Sequence, residues 1–193
     1  MRLPTQLSRR NSNVHKNTFG HVLILAGSPG MLGAGALASL ACMRSGSGLV
    51  TLGIPKSLNQ TTQKKISNVV MTWPLDETKE GTLAFQAFNK IEKSYSKFQT
   101  IALGCGSTTN PNTAKLIHKI ISTSPVPLII DADALNALSG HLNLLLKTKT
   151  PKILTPHPGE LARMLNNNIS VFARSVATKQ PSGLKVLRIT SVF

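Results

Sequence analysis

Short, uninterrupted apolar runs recur along the chain, and most of them end at or just before a glycine, a carboxylate or a proline. The runs lie at residues 22–26 (VLILA), 49–53 (LVTLG), 68–72 (NVVMT), 100–104 (TIALG), 127–131 (PLIID) and 152–155 (KILT). Runs of this kind are typical of strands that are covered on both faces. Helix-like stretches at 33–46, 81–93 and 112–122 separate them, as in a parallel sheet with crossover helices. The sequence therefore predicts an α/β fold, with a mainly parallel sheet and helices on both faces.

Glycines or polar residues stand at the ends of four of these predicted strands. The residues at these ends are Gly27, Gly104, Asp131 and Thr155. The carboxyl ends of parallel strands meet at one edge of a sheet, and ligands of such sheets bind just beyond that edge. We therefore expect these four residues at the same edge, beside a ligand.

The chain is strongly basic, with a net charge of +15 and no Asp or Glu in residues 1–75. A basic surface attracts anions such as nucleic acid or phosphorylated small molecules, although a lysine-rich solvated face would give the same composition. Aromatic residues make up only 4% of the chain. Because single-stranded nucleic acid is usually held by stacking on aromatic side chains, we do not expect a nucleic-acid partner.

Nothing in the sequence suggests a membrane or a secreted protein. No apolar run approaches the roughly 20 residues that a membrane span needs, and no signal-peptide segment follows the basic start. Cys42 and Cys105 are the only cysteines, which is too few for a disulfide framework or a zinc site. We expect a cytoplasmic protein with no membrane partner.

Two glycine-rich turns follow predicted strands, at residues 27–36 (GSPGMLGAGA) and 104–106 (GCG). Glycines let the backbone approach a ligand closely, and a helix N-terminus favours anions. The first turn is neither a dinucleotide fingerprint nor a phosphate-binding P-loop. The alternative is that these small residues serve only tight packing between helix and strand. Cys105, which lacks a base beside it in the sequence, is interpreted as inert packing.

Residues 131–136 (DADALN) place two acids and an amide after an apolar strand, in a chain with few acids. Such a group can bind sugar hydroxyls or help to hold hydrated Mg²⁺. The alternative is that Asp133 caps the helix that follows it.

Residues 155–160 (TPHPGE) hold His157 between two prolines at a strand end. This restraint favours a functional histidine, although a lone histidine is more often structural. Glu160 enters the next helix, where it could act through a metal-bound water or cap the helix.

Together these motifs resemble the NAD(P)H-hydrate dehydratase family of the ribokinase-like superfamily. The resemblance covers residues 9–165. The matching stretches are 15–23 (HKNTFGHVL), 27–28 (GS), 33–34 (GA), 43–50 (MRSGSGLV), 104–106 (GCG), 131–136 (DADALN) and 155–160 (TPHPGE). The resemblance implies a ribokinase-like fold and the repair of hydrated NADH and NADPH. In that reaction, a nucleoside phosphate phosphorylates the hydroxyl of the hydrate, and elimination of phosphate restores the cofactor.

The resemblance also implies partners and site residues. The partners would be the S-form of the hydrated cofactor and ADP or ATP with Mg²⁺, and complete relatives are expected to be homo-oligomers. The candidate residues for contacting the substrate are Ala34, Gly106, Asp133, Asn136 and His157. Gly104 and Glu160 are the candidates for the nucleotide phosphates, and Glu160 is also the candidate for Mg²⁺, through water.

The end of the sequence departs from the family pattern. The family continues with a Gly-x-Gly-Asp segment, in which the helix N-terminus forms an anion hole and the Asp is the catalytic base. No such segment occurs here, so no catalytic residue is assigned. We interpret residues 1–193 as one truncated domain with an anomalous tail at 180–193, and expect poor solubility and negligible turnover from the isolated chain. The alternatives are a nucleotide-binding remnant without catalysis and a ribokinase-like small-molecule kinase.

Overall fold

The computed structural model describes residues 15–165 and the backbone of residues 184–186. Within these ranges the strands form one sheet in the order β3-β2-β1-β4-β5-β6-β7, and every neighbouring pair is parallel. The strands are β1 (His21–Leu25), β2 (Leu49–Pro55), β3 (Met71–Leu75), β4 (Thr100–Leu103), β5 (Leu128–Ile130), β6 (Lys152–Leu154) and β7 (Leu184–Val186). The predicted parallel sheet is confirmed. The predicted tail at 180–193 lies outside the described residues, except for β7.

Six α-helices connect these strands in the described ranges. They are α1 (Leu32–Arg44), α2 (Asn59–Lys65), α3 (Ala87–Glu92), α4 (Pro111–Thr123), α5 (Asp133–Ala137) and α6 (Pro158–Met164). Short 3₁₀ turns occur at Lys16–Phe19, Lys56–Leu58, Tyr95–Lys97 and Leu142–Leu146. Across the described residues, no helix has the length and apolarity that would let it cross a membrane.

Helix α4 shows how the local sequence sets an element. The Asn110 side chain accepts a hydrogen bond from the Asn112 backbone N–H (2.8 Å), and Pro111 occupies the first turn, where its missing N–H costs nothing. The buried residues of α4 recur at intervals of three and four along one face: Thr113, Leu116, Ile117, Ile120 and Ile121. This spacing is that of an amphipathic helix packed on a sheet.

The core is divided by the sheet into two layers. Leu23 and Leu25 of β1 belong to the larger cluster, which also includes apolar residues of α3, α4 and α5. Ile24, between them, belongs to the second cluster, which includes residues of α1 and β2 and the two residues that flank α2, Leu58 and Ile66. Because successive side chains of a strand point to opposite faces, this alternation places helices on both faces of the sheet. The predicted α/β fold with helices on both faces of the sheet is confirmed.

The sequence does not predict α2 or β7, and two of the elements that it predicts have other bounds. The third strand lies at 71–75, not at 68–72, and it contains Pro74. A proline is tolerated there because β3 is at the edge of the sheet and pairs only with β2. The helix predicted at 81–93 begins only at Ala87, because residues 78–82 form a turn. In this turn the Thr78 N–H donates to the Thr82 carbonyl (2.8 Å), and Gly81 has φ 74°.

The strand order reverses direction between β1 and β4. In doubly wound sheets the loops after two such strands diverge, which opens a crevice for a ligand at the carboxyl edge. Gly27, Gly104, Asp131 and Thr155 all lie just beyond the carboxyl ends of β1, β4, β5 and β6. Their predicted position at a common edge is therefore confirmed.

Lys152, the first residue of β6, is buried at the opposite edge of the sheet, with 2% of its surface exposed. Its ammonium group donates to the Thr148 carbonyl (3.0 Å), the Thr148 hydroxyl (2.7 Å) and the Thr150 carbonyl (3.1 Å). An ammonium has three donors, and these three oxygens satisfy all of them. Burial nevertheless lowers the pKa of Lys152, because it disfavours the charged form.

This buried lysine predicts a pH effect on stability. Between the lowered pKa of the folded state and the ordinary value, the folded protein binds fewer protons than the unfolded chain, so its stability rises with pH. We expect the free energy of unfolding of wild type, relative to Lys152→Met, to increase from pH 7 to pH 10 in urea titrations. The exposed Lys149→Met variant is the control: because it retains Lys152, its free energy of unfolding relative to Lys152→Met should rise with pH as that of wild type does. A parallel pH dependence in wild type and Lys152→Met would contradict the prediction.

Candidate functional site

The loops that follow β1 and β4, at the switch point of the sheet, contact each other. The Gly27 N–H donates to the Cys105 carbonyl (3.0 Å), and the Gly104 N–H donates to the Leu25 carbonyl (3.2 Å). Gly106, which has φ 67°, packs so closely that an added Cβ would lie 3.1 Å from the Ala34 Cβ. The structure thus brings together two predicted substrate contacts, Ala34 and Gly106, that are far apart in sequence.

The N-terminus of α1 lies open beside this contact. Its N-cap residue, Met31, makes no side-chain capping bond, and its first turn has no acidic residue. No atom lies within 4 Å of the positions that a Cβ on Gly30 or Gly33 would take, whereas a Cβ on Gly35 would meet Leu52 at 3.2 Å. Packing between helix and strand therefore accounts for Gly35, but not for Gly30 or Gly33. Uncapped backbone N–H groups at the start of a helix favour an anion.

Gly104 is required by the protein's own packing. It is buried and has φ 115°, and an added Cβ would collide with the Asp131 carbonyl oxygen and with Ala134. A larger residue would therefore push apart the ends of β4 and β5. Its predicted contact with nucleotide phosphate stays a prediction.

The Asp131 carboxylate is held between two neighbouring strand ends. Thr155 Oγ1 donates to Asp131 Oδ1 (2.8 Å), and Cys105 Sγ lies 3.7 Å from Asp131 Oδ2. Burial and, secondarily, the negative charge of Asp131 raise the pKa of Cys105 to about 11. Because the thiolate is the nucleophilic form, this pKa agrees with the interpretation of Cys105 as an unreactive packing residue.

Asp133 does not cap α5 as the sequence had suggested. It is the first residue of that helix, and the N-cap is Ala132, which has φ 49°. The Asp133 carboxylate instead accepts from the Thr108 backbone N–H (2.9 Å) in the loop that carries Gly106. Among the described residues, only two residues other than glycine have a positive φ: Thr108 (68°) and Ala132 (49°). Strained backbone of this kind tends to occur at functional sites, and here Asp133 joins both positions.

His157 and Glu160 form a capping box at the start of α6. His157 Nδ1 accepts from the Gly159 N–H (3.1 Å) and the Glu160 N–H (3.4 Å), and Glu160 Oε2 accepts from the His157 N–H (3.0 Å). Since Nδ1 accepts, the neutral ring carries its hydrogen on Nε2, which lies 3.3 Å from Glu160 Oε1. Of the two predicted roles for Glu160, the structure shows the cap.

The described residues do not fit a magnesium site. Both carboxylate oxygens of Glu160 face His157, and the residue is 7% exposed. Across residues 15–165 there is no group of three or more His, Cys, Asp or Glu side chains that could hold a metal ion. We therefore derive no step through a protein-bound Mg²⁺.

One side chain at this edge was missed in the sequence. Arg163, exposed on α6, donates from Nε to Asn136 Oδ1 (2.9 Å). Asn136 Nδ2 in turn lies 3.4 Å from Asp133 Oδ1. The only available signal was the position of Arg163 three residues after Glu160 on the same helix, and its partner is 27 residues away.

A sequence profile described as NAD(P)H-hydrate dehydratase matches residues 22–183. The chain belongs to the NAD(P)H-hydrate dehydratase family. It is 38% identical over 161 residues to the bifunctional NAD(P)H-hydrate repair enzyme of Moorella thermoacetica, covering 83% of this chain and 30% of that protein. It is 34% identical over 158 residues to the ADP-dependent (S)-NAD(P)H-hydrate dehydratase of Bacillus subtilis, covering 82% and 51%. The chain thus spans about half, or less, of these two relatives.

Solved structures agree with the assignment to the NAD(P)H-hydrate dehydratase family. The ADP/ATP-dependent NAD(P)H-hydrate dehydratase of Bacillus subtilis, crystallised with ATP and Mg²⁺, aligns with a TM-score of 0.62 at 26% identity, covering 94% of this chain and 61% of that one. A ribokinase-like protein of Enterococcus faecalis aligns with a TM-score of 0.74 at 19% identity, covering 95% and 62%. The second likeness shows the ribokinase-like fold alone.

The raised pKa of Cys105 predicts slow alkylation. In a Cys42→Ser variant, which leaves Cys105 as the only cysteine, we expect the folded protein at pH 8 to react with iodoacetamide about 100-fold more slowly than the same variant in guanidinium, since about two pKa units separate the thiols. Adding Asp131→Asn should raise the rate, because it removes a negative charge. Equal rates in the folded and unfolded states would refute the assignment of Cys105 as a protonated thiol.

The capping box predicts different effects for two substitutions of His157. His157→Ala removes the acceptor and should lower the free energy of unfolding by about 1 kcal/mol, whereas His157→Asn supplies another N-cap acceptor and should cost only a few tenths. Chemical denaturation measures both. If the two variants lose the same stability, the side chain of His157 does not stabilise α6 by capping.

Proposed function

We propose that this protein takes part in the dehydration of the S-form of hydrated NADH and NADPH, and that the described residues contribute the substrate-binding part of the site. The observation that carries the proposal is the close approach of Gly106 to Ala34, where the loops after β1 and β4 meet at the carboxyl edge. Membership of the NAD(P)H-hydrate dehydratase family and the names of the relatives support the reaction.

The proposed ligand lies along the carboxyl edge of the sheet. The open N-terminus of α1 suits a phosphate group of the dinucleotide, because it presents backbone N–H groups and has no acidic residue. We propose that Ala34, Gly106 and the exposed ring of His157 contact the hydrate. Asp133 and Asn136 are assigned an indirect role, because Asp133 accepts from the Thr108 N–H and Asn136 holds Arg163.

ADP or ATP is the proposed co-substrate, as the names of the Bacillus subtilis relative and of the Bacillus subtilis structure suggest. Gly104 and Glu160 remain the sequence candidates for its phosphates. Mg²⁺ would accompany the nucleotide. A cytoplasmic location belongs to the same proposal, and complete relatives are proposed to be homo-oligomers.

A nucleotide-binding role without turnover is the second candidate. It is favoured because three polar side chains of the described carboxyl edge serve the structure: His157 and Glu160 cap α6, and Asp133 accepts from the Thr108 N–H. A positioned general base is typically worth about 10²–10⁴ in rate. The two candidates share the same binding site and differ only in turnover.

Calorimetry with the isolated chain tests the binding proposal. We expect NADPH to bind more tightly than ADP, because the described contacts lie on the side of the hydrate. Tight binding of ADP without binding of NADPH would contradict the proposal. Turnover of NADPH hydrate with ADP and Mg²⁺ separates the two candidates: we expect it to be negligible for this chain, and robust turnover would eliminate the second candidate.

A further inference from the structure

The side chain of Arg163 runs back along α6 to the carboxyl edge of the sheet. An added Cβ on Gly159 would lie 3.6 Å from Arg163 Nη1 and 3.0 Å from His157 Cε1. The guanidinium group therefore lies near the ring of His157, although Arg163 itself is one turn further along the helix. Helical side chains commonly point towards the N-terminus of their helix, which accounts for this reach.

Asn136 fixes the orientation of this guanidinium group. Arginine can only donate hydrogen bonds and an ionised carboxylate can only accept them, so the amide of Asn136 has one orientation that suits both neighbours. Its oxygen faces Arg163 Nε (2.9 Å), and its nitrogen faces Asp133 Oδ1 (3.4 Å). Because Asp133 also accepts from the Thr108 N–H, the position of Arg163 is linked to the loop that carries Gly106.

The positive charge of Arg163 is not neutralised by a carboxylate. Among residues 15–165 the one ion pair joins His157 and Glu160. Asp133, which approaches Arg163 through Asn136, is separated from it by that amide. The bond from Nε to Asn136 leaves the two terminal nitrogens of the guanidinium without an acceptor among residues 15–165. The result is an exposed, oriented cation at the edge where the ligand is expected.

We propose that Arg163 binds a phosphate group of the nicotinamide nucleotide, with Asn136 and Asp133 as positioning residues. This inference rests on the proposed function, because it assumes a nicotinamide nucleotide at the carboxyl edge. A guanidinium group suits the task because its planar array of donors matches two phosphate oxygens at once. The shared chemistry is a phosphate: NADH and NADPH both contain a diphosphate, and only NADPH has an additional 2′-phosphate.

The main experiment compares Arg163→Met with Arg44→Met by calorimetry, using NADH, NADPH and inorganic pyrophosphate as probes. Arg44 is also exposed, but it ends α1 at the opposite edge of the sheet, so its variant controls for the loss of one positive charge. We expect Arg163→Met to weaken NADPH binding about 10- to 100-fold, as for a lost charge-assisted hydrogen bond. Arg44→Met should bind NADPH within about twofold of wild type, because Arg44 lies at the opposite edge of the sheet and salt screens exposed charges over such a distance. A loss shared by NADH and NADPH assigns the diphosphate, whereas a loss confined to NADPH assigns the 2′-phosphate.

A second pair of variants tests the positioning role. Arg163→Lys keeps the charge but lacks the Nε donor and the planar donors, so it should recover only part of the lost affinity. Asn136→Ala should weaken NADPH binding less than Arg163→Met does. In the Arg163→Met background, Asn136→Ala should have no further effect, because its role acts through Arg163. An equal loss from Asn136→Ala in both backgrounds would refute the positioning role.

The outcomes separate this inference from the proposed function. If wild type binds NADPH and Arg163→Met binds it as tightly as Arg44→Met does, the inference is wrong while the proposed function stands. If wild type binds none of the three probes, both are wrong. If pyrophosphate competes with NADPH in wild type but not in Arg163→Met, the phosphate contact is supported independently of the nicotinamide.

Discussion

The close approach of Gly104 to the carbonyl of Asp131 governs the geometry of the whole carboxyl edge. No side chain fits between these two strand ends, so the backbones of the loops after β4 and β5 lie directly against each other. The Asp131 carboxylate can then accept a hydrogen bond from the Thr155 hydroxyl at the end of β6. The turn that follows Asp131 brings the Asp133 carboxylate within hydrogen-bond distance of the Thr108 N–H. The candidate site is therefore built from backbone contacts first, and its side chains occupy positions that those contacts define.

Several residues with suitable chemistry for catalysis are used at this edge for structure. His157 and Glu160 cap α6, Cys105 is a protonated thiol beside Asp131, and Asp133 holds a strained loop. This use does not conflict with a binding site. A ligand needs fixed backbone N–H groups and oriented donors, and the capping and loop contacts are what fix them.

The sequence sufficed to predict the strands and the edge at which their ends meet, because continuous apolar runs and glycine-rich ends are local patterns. The third strand was placed three residues early, since Pro74 is acceptable only at a sheet edge, and the strand order is not visible in the sequence. The alternative role of Asp133 as an N-cap is wrong, because its carboxylate accepts from the backbone of Thr108, 25 residues away; its predicted contact with the substrate stays a prediction. Arg163 is absent from the sequence prediction because its position at the site depends on a hydrogen bond to Asn136, which lies on α5 and is distant in the sequence.

Lys152 has a consequence for how this part of the chain folds. Its three oxygen partners come from Thr148 and Thr150, only four and two positions earlier in the chain. Residues of the same segment therefore supply the hydrogen-bond acceptors that replace the water molecules lost by the Lys152 ammonium on burial. Loop closure over so few residues has a small entropic cost. The ammonium can thus exchange water for protein oxygens while β6 is still forming, and the docking of β6 onto β5 does not have to bury an unsolvated charge.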